Sequence, residues 1–205
     1  MPKKIILFFF LTLMLISNEV KIIKNVGFIQ GKFNNKQYKI ERTQEKGASL
    51  TNSFALTSRP SPPFYIQPFQ VSPKVKTYGE IEVLKFISKK KGVFIDARLE
   101  NWYKKSKIPT SVNIPFKIFL SKSTKRIDIL TSFGGIYNQE EKEWDFSQVK
   151  TLLFYCNGAW CGQSPTAINA LIELGYPQKK MKYYRGGMQS WQLLGLTTII
   201  PEENK

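Results

Sequence analysis

Two cysteines that share one loop are the residues of this chain best suited to chemistry. The 205-residue sequence has no histidine, so a nucleophile here would be a thiolate working without an imidazole base. Cys156 directly follows an apolar run at residues 151–155, and Cys161 comes five residues later. An isolated cysteine at a strand end is usually a small buried apolar residue. The adjacent glycines, the second cysteine and a Ser-Pro pair favour the functional interpretation of Cys156.

The residues around the loop predict how it is held. The run at residues 151–155 is continuously apolar, which is typical of a central parallel strand covered on both faces. Ser164 is predicted to be the N-cap, and Pro165 the first residue, of a helix that ends near Gly175. Cys156 would then lie between the carboxyl end of a strand and a helix N-terminus, where backbone N–H groups stabilise anions.

Four ordered motifs resemble the rhodanese-like family. They are the cysteine loop and its helix at residues 155–176, the glycine-pair segment at 183–191, the Asp-x-Arg segment at 93–103 and the KIPTSVNIP turn at 107–115. Together they span about half of the chain, from roughly residue 79 to roughly residue 198. The resemblance implies an α/β fold with a central, mostly parallel sheet, helices on both of its faces and an N-terminal extension.

The loop departs from the family pattern in three ways. It is two residues longer between Cys156 and Ser164, Gln163 stands where an arginine is frequent, and Lys107 stands where a histidine is common. Because no arginine lies between Cys156 and Ser164, the loop lacks the guanidinium fork with which related phosphatases of this fold bind phosphate. These departures argue against a phosphatase and leave the substrate anion open.

The resemblance implies a sulfurtransferase of the thiosulfate type, in which Cys156 carries a persulfide. Thiosulfate or a persulfide would donate the sulfur, and a thiol or cyanide would accept it. The substrate-binding loop would consist of Asn157, Gly158, Ala159, Trp160, Cys161, Gly162, Gln163 and Ser164. Arg185 is either a further cation at the rim of the site or a plain solvated charge. Asp96 and Arg98 are supporting residues, and Asp96 is expected to have a structural role, in which it accepts backbone hydrogen bonds or pairs with Arg98. Trp191 is expected in the core.

Cys161 allows more than one role. It could form a disulfide with Cys156 in an oxidising compartment, or act as the thiol that resolves a persulfide on Cys156. A thiol–disulfide redox protein based on this pair is therefore an alternative function, and a non-catalytic module that binds or senses an anion is another. The Trp160-Cys161-Gly162 triplet is similar to a thioredoxin-type sequence, but the second cysteine of that motif is missing. Two thiols without a histidine make a metal site unexpected, and no cofactor is predicted.

The N-terminal sequence predicts export. Lys3 and Lys4 precede an apolar stretch at residues 5–16, which is the pattern of a secretory signal. The stretch is shorter than the ~20 apolar residues of a spanning helix, but no clear small-residue cleavage site follows it. Residues 1–23 are therefore either a signal peptide or an anchor in the inner membrane. The protein is expected in the periplasm or outside the cell, where disulfides persist.

The rest of the chain divides into an extension at residues 24–74 and one rhodanese-like domain at residues 75–200. One domain of this length can bury its own core. Within the domain, residues 79–88 are predicted to form the first helix. An insertion at residues 117–149, rich in lysine and aromatic residues, has no role that the sequence reveals.

The extension combines a predicted hairpin with a Pro-rich strap. The hairpin strands are expected at residues 26–29 and 37–40, joined through Asn34 and Asn35. The strap at residues 58–68 should be extended. A Pro-rich segment is often a linker, but its aromatic residues indicate that it packs along the domain.

The net charge of +16 bears on the partners of the protein. The lysines are scattered in short runs, without a stacking motif or a recognition helix, so nucleic acid is not an expected partner. A basic surface instead attracts anionic substrates or anionic lipid. The expected partners are a small sulfur anion or persulfide as donor, a thiol acceptor, which could be a protein thiol, and a membrane contacted through the N-terminus.

Overall fold

The computed structural model describes residues 20–50, 52–57, 59 and 64–202. The apolar stretch at residues 5–16, predicted to belong to a signal or an anchor, lies outside the described residues. In the part of the chain that is described, no helix is long and apolar enough to cross a membrane. The elements in chain order are β1 (Phe28–Phe33), β2 (Lys36–Glu41), β3 (Lys76–Thr77), α1 (Glu80–Ser88), β4 (Val93–Asp96), α2 (Glu100–Tyr103), β5 (Val112–Asn113), α3 (Phe116–Leu120), α4 (Thr124–Ser132), β6 (Ile136–Asn138), β7 (Glu143–Asp145), β8 (Leu152–Tyr155), α5 (Gln163–Glu173), β9 (Met181–Tyr184) and α6 (Gly187–Leu193).

The central sheet has the strand order β3-β9-β8-β4-β5, and every adjacent pair of strands is parallel. β8 lies in the middle, and its side chains alternate between the two faces. Leu152 and Phe154 belong to one buried cluster, whereas Leu153 and Tyr155 belong to the other. This arrangement confirms the predicted parallel strand that is covered on both faces.

Helices cover both faces of the sheet. α3, α4 and α5 pack on the first face, where Phe119, Leu130 and Leu171 are fully buried. α1 and α6 pack on the second face, where Phe86 and Trp191 are buried. Each such side chain contributes about 1.5–3 kcal/mol when it leaves water. The two cores together fix the position of the sheet from which the cysteine loop extends. The expected core position of Trp191 is confirmed.

The two longest predicted helices of the domain are present. α1 begins after Gly79, whose N–H group donates to the Glu82 carboxylate at 3.2 Å. α5 buries the predicted apolar stripe that includes Ala167 and Ile168. It ends just before Gly175, which has a φ angle of +88°. Glycine adopts this left-handed conformation without strain, so it is suited to end a helix.

The extension adds an antiparallel hairpin to the second face. β1 and β2 are joined by Asn34 and Asn35, which have φ angles of 46° and 60°. Asparagine tolerates this left-handed region, and two such residues suit a two-residue hairpin turn. Ile40 of β2 is fully buried in the cluster that contains α1 and α6. The predicted hairpin is confirmed, with longer strands than the sequence indicated.

The predicted insertion contains most of α3, all of α4 and the antiparallel pair β6–β7. Trp144 stacks on Phe146 with ring centres 5.3 Å apart, and Phe146 meets Tyr176 at 5.0 Å. Tyr176 follows the C-terminus of α5. The β6–β7 hairpin therefore packs at the end of α5 that is opposite to the cysteine loop.

Candidate active site

The cysteine loop connects β8 to α5 through one tight turn. The Cys161 N–H group donates to the Gly158 carbonyl at 2.9 Å, and the Cys156 thiol donates to the Cys161 carbonyl at 3.0 Å. Cys156 is 1% exposed and Cys161 is 0% exposed. Both cysteines are free thiols. The structure therefore brings together, in one buried turn, the two residues that the sequence singled out.

The helix after the loop starts earlier than predicted. α5 begins at Gln163 with Gly162 as its N-cap, so the predicted N-cap role of Ser164 is wrong. Gly162 already has near-helical backbone angles, with φ −78° and ψ −3°, and its carbonyl accepts from Thr166 N–H at 2.9 Å. Ser164 consequently lies inside the first turn of α5. Its hydroxyl and its N–H group face the sulfur of Cys156 instead of capping the helix.

The glycine pair after β9 holds the loop from the opposite side. Met188 N–H donates to the Cys156 carbonyl at 3.0 Å, and Gln189 N–H donates to the Asn157 carbonyl at 2.9 Å. Gly187 has a φ angle of +54°, and a Cβ atom at this position would lie 2.4 Å from the Cys156 carbonyl oxygen. Only glycine permits so close an approach of two backbones. The glycine pair therefore fixes where the backbone of Cys156 lies.

The two thiols are coupled through their contact. Burial raises the pKa of Cys156 well above its usual value, whereas the Ser164 hydroxyl and N–H group act in the opposite direction. Contact with the Cys156 thiol lowers the pKa of Cys161 to about 7, against the effect of burial. The first ionisation of the pair is easy because the remaining thiol stabilises the thiolate, and the second is hard because two like charges would share a buried site. The pair therefore begins to take up one negative charge, on Cys161, near neutral pH.

Two polar side-chain atoms of the loop remain without a partner among the described residues. They are the Oδ1 atom of Asn157 and the Oγ atom of Ser164, and both are buried. Buried polar atoms are nearly always hydrogen-bonded, so such an exception marks a place for a charge or a ligand. The Ser164 hydroxyl can donate to the sulfur of Cys156 when that sulfur is a thiolate or a persulfide. The loop thus holds a donor at the sulfur where negative charge would develop.

The Pro-rich strap lies across the loop. Tyr65 N–H donates to the Trp160 carbonyl at 3.2 Å, and Gln67 N–H donates to the Ala159 carbonyl at 2.8 Å. The Gln67 carbonyl in turn accepts from the guanidinium group of Arg185 at 2.8 and 3.1 Å. Arg185, predicted as a rim cation or a solvated charge, is half-buried and binds the strap. The described part of the strap packs on the domain and covers the predicted substrate loop.

Trp160 is the side chain that joins the loop to the extension. The ring of Phe64 meets it edge-on at 4.9 Å, and the guanidinium carbon of Arg59 lies 3.5 Å from its ring centre. Its Nε1–H group donates to Gln189 Oε1 at 2.7 Å, and Gln189 Nε2 donates to the Phe54 carbonyl at 2.9 Å. Aromatic and cation–π contacts of this kind contribute about 0.5–2 kcal/mol each. The extension is therefore part of the site.

Arg59 is a site residue that the sequence interpretation missed. Burial lowers the pKa of its guanidinium group, and the charge of Cys161 acts in the opposite direction. Arg59, Phe64 and Trp160 line one side of a cavity of about 600 Å³ between the extension and the loop. Gln163, which stands where the family frequently has an arginine, was the feature of the sequence that could have indicated such a residue. A loop without its own arginine leaves room for a cation from elsewhere in the chain.

A buried ion pair lies beside the loop at the end of β4. The carboxylate of Asp96 accepts from Arg98 Nε at 2.8 Å and from Arg98 Nη2 at 2.6 Å. The Tyr155 hydroxyl also donates to Asp96 at 2.7 Å, and it lies 2.9 Å from the Ser111 hydroxyl. Asp96 and Arg98 are both fully buried. The predicted pairing of the two residues is confirmed. The pair is bonded in turn to the Tyr155 hydroxyl and to the Ser106 carbonyl of the same domain.

Lys107, which departs from the family pattern, belongs to the same region. Its ammonium group donates to the Ser111 carbonyl at 2.8 Å and lies 5.4 Å from the ring centre of Phe33 and 5.2 Å from that of Tyr103. Burial lowers its pKa. Lys107 thus ties the hairpin of the extension to the turn after α2.

The Rhodanese-like domain model matches residues 81–194, which is more than half of the chain, and the chain belongs to this family. The match includes Cys156, the loop and the glycine pair. It ends before the C-terminal segment and starts after the strap and the hairpin. The strap that contacts the loop therefore lies outside the residues that the family model matches.

Solved structures with the same fold include sulfurtransferases. A human single-domain sulfurtransferase is 16% identical, with 59% of this chain and 96% of that chain covered and a TM-score of 0.40. A thiosulfate sulfurtransferase from Pseudomonas aeruginosa is 17% identical, with 62% and 21% covered and a TM-score of 0.41. A rhodanese-related protein from Thermoplasma volcanium is 20% identical, with 62% and 99% covered and a TM-score of 0.43. No curated protein matches the sequence.

Proposed function

We propose that this protein is a sulfurtransferase that carries sulfane sulfur as a persulfide on Cys156. The observation that supports this function best is the position of Cys156, at the carboxyl end of β8 with the hydroxyl and N–H group of Ser164 directed at its sulfur. A helix N-terminus and a hydroxyl donor are the groups that stabilise an anionic sulfur. Membership of the rhodanese-like family adds support to the same chemistry.

The reaction has two balanced steps. In the first, Cys156 gives its proton to the neighbouring Cys161 thiolate and attacks the outer sulfur of thiosulfate. A new S–S bond forms, and sulfite leaves with the electron pair of the broken S–S bond. In the second, an acceptor thiolate attacks the outer sulfur of the Cys156 persulfide, and the Cys156 thiolate leaves. Ser164 would donate to the charged sulfur in both steps, and the buried setting would strengthen that hydrogen bond.

The compartment and the partners are part of the same proposal. The sequence of residues 1–23 supports export, and the net charge of +16 suits a small anionic donor such as thiosulfate. A thiol, either a small molecule or a protein, would accept the sulfur. An exported protein would meet an oxidising environment, in which Cys156 must stay a free thiol in order to accept sulfur.

The test compares the same substitution at each cysteine. Cys156→Ser and Cys161→Ser proteins are purified in reduced form, incubated with thiosulfate and analysed by intact mass and by sulfite release. The proposal predicts that Cys161→Ser gains one sulfur atom and releases sulfite, because Cys156 remains. Cys156→Ser should gain no sulfur. A sulfur gain by Cys156→Ser, or none by either variant, would contradict the proposal.

A further inference from the structure

Cys161 is a buried nucleophile that sulfur transfer through Cys156 leaves unused. Its N–H group closes the turn onto Gly158, and its carbonyl oxygen lies 3.0 Å from the sulfur of Cys156. A residue whose backbone already contacts the Cys156 sulfur needs little movement to bring its own side chain to that sulfur. The five-residue spacing within one closed turn places the second thiol of the chain beside the first.

The surroundings of Cys161 suit an attacking thiolate. Asn157 Nδ2 lies 3.7 Å from its sulfur, and the backbone N–H groups of Asn157 and Gln163 also face it. In the reduced pair the pKa of Cys161 is lowered to about 7, in part by these N–H groups, which do not depend on the Cys156 thiol. Arg59 adds a positive charge on the same side of the loop.

External thiols have poorer access than Cys161. Tyr65 and Gln67 of the strap cover the loop through backbone hydrogen bonds, and neither cysteine is more than 1% exposed. A thiol acceptor from solution must enter this buried site from outside, as thiosulfate must in the first step. Cys161 is in the site already, so an internal reaction precedes an external one on grounds of proximity.

We propose that Cys161 resolves the Cys156 persulfide by forming an intramolecular disulfide and releasing hydrosulfide. The step rests on the proposed function, since the persulfide is its substrate. The Cys161 thiolate attacks the inner sulfur, that of Cys156, and a Cys156–Cys161 bond forms as the bond to the outer sulfur breaks. The outer sulfur leaves as hydrosulfide with the electron pair. The two cysteines are oxidised to a disulfide while the sulfane sulfur is reduced, and a thiol or dithiol reductant then restores both thiols.

The experiment measures both products of one turnover. The full chain and Cys161→Ser, each fully reduced and freed of reductant, are mixed with thiosulfate in the absence of any other thiol. Released sulfite reports persulfide formation on Cys156, whereas released sulfide reports the internal step. We expect about one sulfide per unsubstituted chain, together with the loss of two hydrogens and no retained sulfur. Cys161→Ser should release sulfite, retain the sulfur and release no sulfide.

The outcomes separate the two proposals. If the unsubstituted chain releases sulfite and keeps the sulfur, as Cys161→Ser does, the internal step is wrong while sulfur transfer through Cys156 stands. If neither protein releases sulfite, the proposed function itself fails. Cys161→Ala serves as a second variant, because it removes the thiol without adding a hydroxyl. It should behave as Cys161→Ser does, and sulfide release from either variant would overturn the role of Cys161.

Discussion

Two buried polar sites lie side by side at the carboxyl edge of the sheet, and they differ in how completely their polar atoms are paired. At the end of β4, the Asp96 carboxylate is held by Arg98 and Tyr155, and only Nη1 of Arg98 lacks a partner among the described residues. At the end of β8, Asn157 Oδ1 and Ser164 Oγ are both unpaired next to two free thiols.

The difference indicates where stability and where reactivity reside. The Asp96 carboxylate takes its partners from the chain itself, so its site holds the domain together instead of binding a ligand. The Ser164 hydroxyl, a buried donor without a partner, leaves bonding capacity for a negative charge that arises during a reaction. Adjacent strands therefore present a structural site and a reactive site, although both contain buried polar groups.

The largest expected effect is a loss of stability when a substitution disrupts the Asp96 site alone. Asp96→Ala leaves the Arg98 guanidinium buried without its carboxylate, and removal of one partner of a buried ion pair costs about 3–5 kcal/mol. Urea unfolding monitored by circular dichroism measures this loss of stability. Asp128→Ala, at an exposed position of α4, is the matched control and should change stability by less than about 0.5 kcal/mol. A loss below about 1 kcal/mol for Asp96→Ala would show that the pair is dispensable.

The second prediction concerns the pH dependence of the reactive site. Since the pKa of Cys161 is lowered to about 7, its thiolate fraction rises as the pH increases to about 7 and then levels off. In the reduced protein, alkylation of Cys161 by iodoacetamide should therefore rise about tenfold per pH unit well below pH 7 and reach a plateau above it. Rate measurements between about pH 5 and about pH 9, with Cys161→Ser as the control, would record this profile. A flat profile would show that Cys161 does not ionise near neutral pH.

The smallest expected effect is faster labelling of the thiols when a substitution weakens the contact between the strap and the cysteine loop. Trp160→Leu removes the ring contacts with Phe64 and Arg59, which contribute about 1 kcal/mol, so the strap should open roughly fivefold more often. Iodoacetamide labelling of the two thiols should accelerate by this factor. Trp144→Leu, in the hairpin at the far end of α5, provides the control and should leave the labelling rate unchanged. Equal rates for Trp160→Leu and the unsubstituted chain would show that Trp160 does not hold the strap.

Local patterns were enough to predict most of the framework. The continuous apolar run before Cys156 gave the central strand, and the paired asparagines at 34 and 35 gave the hairpin turn. The motif around Asp96 and Arg98 predicted the pair that the structure contains. These features depend on residues close together in the chain, where side-chain alternation and turn chemistry act directly.

The start of α5 shows where local rules fail. Ser164 followed by proline fits an N-cap, but the backbone at Gly162 is already turned into the helix. The turn that Cys161 and Gly158 close sets this direction, and the glycine pair behind the loop reinforces it. The capping preference of one serine contributes about 1 kcal/mol, which tertiary contacts of the loop readily exceed.

The sequence by itself determined the family, the sheet with helices on both faces, and the two cysteines in one loop. Only the tertiary structure decided that Arg185 binds the carbonyl of Gln67, which is 118 residues away in the chain. It also decided that Arg59 stacks on Trp160 and that the strap is hydrogen-bonded to the backbone of the cysteine loop. The physical reason is that these contacts join segments far apart in the chain, and neither periodicity nor propensity encodes which distant surface an extended, Pro-rich segment will meet.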